Sequence, residues 1–251
     1  MISYEYPLSE RVRTLLRLED LYERAEYFLA KTDPLEHHIA LLSIFEILEV
    51  SSRADLKSDL LQELERQKQT LESLRGNPEI SESALESVVW QIDQCSARLF
   101  QASGKVGQEL RDNEWLMSIK QRTNIPGGVC EFDLPSYHHW LQQSNEQRRR
   151  DLEQWLSPFL PIRDAIGIVL RLLRESGKTS SQVAYQGVYQ QMMAGRVAQM
   201  LRIALAREYH CVPEISANKY ALNIRFTIQE GGQRPKPADN DVEFELTFCS
   251  L

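Results

Sequence analysis

No run of these 251 residues approaches the roughly 20 consecutive apolar positions that a membrane-crossing helix needs. The N-terminal Met-Ile-Ser-Tyr-Glu-Tyr has no basic flank leading into an apolar stretch, so no secretory signal is expected and the chain reads as cytoplasmic. The four cysteines, Cys95, Cys130, Cys211 and Cys249, stand far apart without a Cys-x-x-Cys pair, which predicts buried free thiols and no zinc site. Histidine pairs occur only as neighbours, His37-His38 and His138-His139. Adjacent side chains on a helix diverge by about 100°, so neither pair can share a metal. There is no Gly-x-Ser-x-Gly elbow, and no Gly-Lys-Ser/Thr follows Gly127-Gly128. Asp133, His138 and a serine could be grouped as a hydrolytic set, but Asp133 at the start of a helix reads more simply as its cap. No catalytic residue, metal or cofactor is expected, and the chain is not expected to be an enzyme.

Positive charge is also short. Lys and Arg number 29 against 36 Asp and Glu, a net charge of −7, which disfavours the broad phosphate-neutralising surface that nucleic acid requires. The deficit is uneven: residues 178–251 carry a net +1 and residues 1–177 a net −8. Hydrophobic content of 42% and charged content of 26% are ordinary for a globular chain large enough to hold one large or two small domains.

Through about residue 175 the apolar spacing is helical. Val12, Leu15, Leu16, Leu18 and Leu21 recur mostly at three- and four-residue steps, as do Ile39, Leu42, Phe45, Ile47 and Leu48. Leu56, Leu60, Leu64, Leu71 and Leu74 mark one helix, interrupted by Gln67 and ended by Gly76-Asn77-Pro78. Leu85, Val88, Val89, Ile92, Cys95 and Leu99 mark the next, with Ser83 and Glu86 spaced as a capping box. A short Gly-Pro loop between two long helices predicts an antiparallel αα-hairpin. Further helices are expected over 106–121, 133–143, 146–156 and 159–175, with Ser144 and Gln147 capping the third of these.

After Gly177 the period becomes two. Tyr220, Leu222, Ile224, Phe226 and Ile228 alternate with polar neighbours, as do Val242, Phe244, Leu246 and Phe248, which reads as antiparallel strands with one buried face. A long Pro-rich turn, 231–240, would join them and set Arg225 across from Glu245. Val183, Tyr185 and Tyr189 hint at an earlier strand, and Leu201, Ile203 and Leu205 at another. The fold class is therefore α+β: an N-terminal helical domain with a long antiparallel αα-hairpin, residues 1–176, followed by a C-terminal mostly antiparallel β-sheet domain, residues 177–251.

Three groups of basic residues invite a binding role. Arg13 and Arg17 lie four apart on one helix face, although Glu10–Arg13 and Arg17–Asp20 pairs would explain them as a solvated surface. Lys219 and Arg225 fall on the polar face of a strand, where an arginine fork could engage both oxygens of a peptide carboxylate. The Arg148-Arg149-Arg150 run, followed by Asp151 and Glu153, reads as a solvated helix face.

Three stretches carry more. Tyr6–Glu19 (YPLSERVRTLLRLE), Ile125–Leu141 (IPGGVCEFDLPSYHHWL), in which a Pro-Gly-Gly turn feeds a short extended run before a helix, and Pro213–Phe226 (PEISANKYALNIRF) resemble the ZapD family of bacterial cell division proteins. Members bind and bundle filaments of the tubulin-like GTPase FtsZ. The stretches lie near the start, middle and end, so the resemblance spans the chain. It implies a non-enzymatic homodimer, recruited to the mid-cell division site, whose basic surface receives the flexible C-terminal tail of FtsZ. Arg17, Arg53, His138, Lys219 and Arg225 occupy positions where the family pattern is basic, and Arg13 stands inside the N-terminal motif. Ala221 and Glu114 depart from the pattern, standing where a basic residue is expected. The residues alone leave a different class open, a nucleic-acid-associated regulatory protein using the basic strand face, and behind it an enzyme of unknown chemistry.

Overall fold

The computed structural model describes residues 1–52, 56–102, 104–193, 195, 197–229 and 234–251. Strand β1 (Ile2–Pro7) leads into helices α1 (Glu10–Leu29), α2 (Pro34–Ser51), α3 (Leu56–Glu72), α4 (Glu82–Gln101), α5 (Gln108–Asp112), α6 (Glu114–Thr123), α7 (Pro135–Leu141), α8 (Asn145–Leu156) and α9 (Leu160–Glu175). Strands β2 (Lys178–Ala184), β3 (Val188–Met192), β4 (Met200–Leu205), β5 (Val212–Ala217), β6 (Ala221–Ile228), β7 (Lys236–Pro237) and β8 (Val242–Cys249) follow. The fold is α+β. It divides into two compact units, Leu16–Val169 and Met1–Leu15 with Leu170–Leu251, so the N-terminal strand belongs with the sheets. Among the described residues no helix is long and apolar enough to cross a membrane.

In the helical unit, α2 is buried almost all round, from His37 and Ala40 through Ile44 and Phe45 to Leu48, as expected of a central helix. Its start is well specified: Asp33 and Glu36 form a reciprocal capping box and Pro34 occupies the first turn. Helices α6, α7 and α8 pack on it. The α3–α4 hairpin forms as the periodicity predicts, with Leu60 and Leu64 meeting Leu85, Val89, Ile92 and Leu99 in the core. Gln67 does not leave a gap in that seam. It is buried and donates to the buried Glu63 carboxylate at 2.7 Å, which Arg66 also reaches.

Several local expectations are corrected. Helix α4 is capped by Ser81, whose hydroxyl accepts from the Ala84 N–H, rather than by Ser83. The helix expected over 106–121 breaks into α5 and α6 because Asn113 leaves helical geometry and caps α6 through the Leu116 N–H. Ser144 does cap α8, accepting from the Gln147 N–H at 3.2 Å. Three cysteines are buried and free, but Cys130 is exposed.

The other unit is built on two antiparallel sheets sharing one core. One has the order β1-β4-β8-β2; the other runs β3-β6-β5, with β7 also pairing to β6. Leu201, Ile203, Leu222, Ile224, Phe226, Phe244 and Leu246 fill the space between them, with the Phe226 and Phe244 rings 5.1 Å apart. Gln186 and Gly187, both at positive φ, make the tight turn from β2 to β3. Only glycine suits position 187, where a Cβ would stand 2.7 Å from the Ala238 carbonyl oxygen. Strand β1 pairs with β4 and is tied down by Glu5, whose carboxylate takes two hydrogen bonds from Arg174, each 2.8 Å.

Candidate functional site: an exposed set of basic side chains

In the N-terminal motif, Pro7 ends β1 and the Ser9 hydroxyl accepts from the Val12 N–H, launching α1. Val12, Leu15 and Leu18 turn inward, which leaves Arg13 and Arg17 outward at one helical turn's spacing. Arg13 pairs with Glu10 at 3.1 Å, as the spacing suggests. The expected Arg17–Asp20 pair does not form: Arg17 is exposed, with no ion-pair partner among the described residues.

The Ile125–Leu141 motif is a chain of turns, not the short extended run expected after Pro-Gly-Gly. Ile125 and Gly128, Gly127 and Cys130, and Cys130 and Leu134 are linked by successive backbone hydrogen bonds. Gly128 is required, since a Cβ there would meet the Arg122 carbonyl oxygen at 2.5 Å. Asp133 does not cap α7; the cap position is Leu134, and Asp133 instead pairs with Arg122 at 3.4 Å. Helix α7 therefore depends on its side chains. Tyr137 and Trp140 stack at 5.7 Å, Trp140 meets Trp155 at 5.5 Å, and Trp115 lies 5.8 Å from Trp155. Burial raises the Tyr137 hydroxyl's pKa and lowers that of His38, so the neutral phenol donates to the neutral His38 Nδ1 at 2.6 Å. That anchored helix holds His138 half-exposed, its Nε2 3.7 Å from Glu131 Oε2.

In the sheet unit, Arg225 is exposed on β6, flanked by Leu222, Ile224 and Phe226 that point into the core. Its cross-strand neighbours are Val188 on β3 and Glu214 on β5. The expected pairing with Glu245 is wrong, because β8 belongs to the other sheet and sets Glu245 beside Ser181 and Ala204. Arg225 has no ion-pair partner among the described residues. Lys219 is not on the strand. It sits in the β5–β6 turn, where Asn218 Oδ1 accepts from the N–H groups of Tyr220 and Ala221, and its ammonium lies 4.8 Å from the Tyr220 ring centre. Tyr220, expected on the buried face, is exposed for the same reason. Arg53 lies outside the described residues.

Of the two departures, Glu114 opens α6, where its charge suits the helix dipole, and Ala221 opens β6 opposite Met192. Among the described residues no three His, Cys, Asp or Glu side chains stand together as a metal group would need.

The reading of the Arg148–Arg150 run as a solvated helix face holds for exposed Arg150 and fails for Arg148. Arg148 is only 4% exposed. It donates to His37 Nδ1 at 3.0 Å, to the carbonyls of Leu141 and Gln143, and to Thr32 O at 2.6 Å. Arg149 reaches the Ala30 carbonyl at 2.8 Å. The overlooked signal is position: Arg148 stands four and eight residues before Leu152 and Leu156, on the buried face of α8.

The profile of a family described as ZapD, cell division protein, matches residues 16–225. A cell division protein ZapD from Azoarcus sp. strain BH72 is 61% identical over 251 residues, covering the whole of both chains. One from Aromatoleum aromaticum is 60% identical over the whole of this chain and 98% of its own length. The three motifs, the exposed basic side chains they carry and this full-length similarity agree: the chain belongs to the ZapD family of cell division proteins.

Proposed function

We propose that the protein binds the C-terminal tail of FtsZ and, as a homodimer, cross-links FtsZ protofilaments, promoting assembly of the division ring at mid-cell without catalysing a reaction. The basic residues that receive the tail are Arg13, Arg17, Arg53, His138, Lys219 and Arg225. The observation that carries this reading is electrostatic. In a chain of net charge −7, Arg17 and Arg225 remain exposed and without an ion-pair partner among the described residues, inside the motifs that mark the family. An exposed guanidinium with no internal carboxylate keeps its donors for a ligand, and a peptide carboxylate fits that fork at two oxygens. Glu214 beside Arg225 argues against a phosphate backbone as the ligand.

Bundling then follows from two tail sites per dimer. Once one tail is held, the second binds at raised effective concentration, so modest single-site affinity ties two polymers together. Charge reversal tests the assignment: Arg17→Glu and Arg225→Glu should each abolish FtsZ bundling in sedimentation while leaving the circular dichroism spectrum unchanged. Normal bundling by both variants would refute it.

A further inference from the structure

The outward face of the β5–β6–β3 sheet is built in rungs. Register places Glu214, Arg225 and Val188 side by side across the three strands, and the next outward rung is Ser216, Asn223 and Gln190. These six residues line one shallow depression. An arginine and a glutamate directly opposite in a sheet ordinarily attract each other. Here they do not pair. The Glu214 carboxylate accepts from the Thr227 hydroxyl at 3.5 Å instead, on the side of Arg225 away from the Ser216–Asn223–Gln190 rung. The guanidinium is therefore available while a fixed negative charge stands beside it.

Resting on the reading that Arg225 receives a carboxylate of the tail, we propose that Glu214 sets which acidic peptides this surface accepts. One ligand carboxylate occupies Arg225. A second acidic side chain nearby meets Glu214 and is repelled, whereas neutral polar groups find donors and acceptors on Ser216, Asn223 and Gln190. The partner that fits is an extended peptide with an isolated acid followed by neutral polar residues, not a polyacidic run.

The test is calorimetric titration with two synthetic peptides: the FtsZ C-terminal tail, and the same peptide with the neighbours of its acids changed to Glu. The intact protein should prefer the first. Glu214→Gln should strengthen the polyacidic peptide by about 1.5- to 5-fold at low salt, the range of one like-charge cross-strand contact, and narrow the gap between the two. An unchanged affinity ratio in Glu214→Gln, with both peptides lost in Arg225→Glu, would overturn the role of Glu214 and leave Arg225 as the tail site. Undiminished binding of both peptides by Arg225→Glu would overturn both. Glu214→Gln removes only one long hydrogen bond at an exposed position, and an unchanged melting curve verifies its fold.

Discussion

A guanidinium as deeply buried as Arg148 is tolerated only because its donors meet acceptors on His37, Thr32, Leu141 and Gln143. Removing it strands those acceptors, each costing about 1–3 kcal/mol. Arg148→Met should therefore lower unfolding stability by roughly 3 kcal/mol or more in urea titrations. Exposed Arg150, bonded to Gln147 within its own helix, should change stability by less than about 0.5 kcal/mol when replaced by Met. The same contact fixes His37 as the neutral tautomer, donating from Nε2 to Lys31 O at 2.9 Å and accepting at Nδ1 from Arg148. Desolvation first, then Arg148 and Arg149, lower its pKa. A folded pKa below the unfolded value means that the unfolded chain takes the proton first. Stability should therefore fall as the pH drops below about 6.5, the unfolded value, and flatten once the folded ring also protonates. His38, lowered by desolvation, adds in the same direction. Urea midpoints between pH 7.5 and 5 measure this, and His37→Gln should shallow the slope.

At the scale of elements, periodicity was a good guide to which side chains are buried and a poor one to what they face. Leu222, Ile224 and Phe226, like Phe244 and Leu246, are buried as their alternation requires. Alternation is blind to pairing, however: it suggests that β6 and β8 lie side by side, whereas they belong to different sheets. Strand β1 does alternate, with Ile2, Tyr4 and Tyr6 against Ser3 and Glu5, but it is short and its partners lie far away in sequence; its place comes from pairing with β4 and from Glu5 with Arg174, residues 169 positions apart. The cap at Ser144 is legible in the sequence, whereas the Ser83–Glu86 spacing points to the wrong serine, since Ser81 caps α4. Gly187 is a sharper case: Gly187→Ala combines positive φ with a backbone clash against Ala238 and should cost more than about 1 kcal/mol by urea denaturation. In the candidate site, the identities of Arg17 and Arg225 were readable because a family motif carries them. That they have no ion-pair partner among the described residues was not, since that depends on where Asp20 and Glu214 point.

Over the whole molecule, net negative charge, with Arg17 and Arg225 exposed and unpaired among the described residues, suits capture of an acidic peptide better than coating of a polyanion. Attraction between exposed charges fades beyond roughly 8–10 Å at physiological salt, so the capture should weaken as salt rises. The central claim is that a peptide tail, not the body of the filament, is what the protein holds. Co-sedimentation with polymerised FtsZ, intact and lacking its C-terminal tail, tests it most directly. The protein should pellet in bundles with intact filaments and stay in the supernatant with the truncated ones; equal pelleting with both would contradict the account.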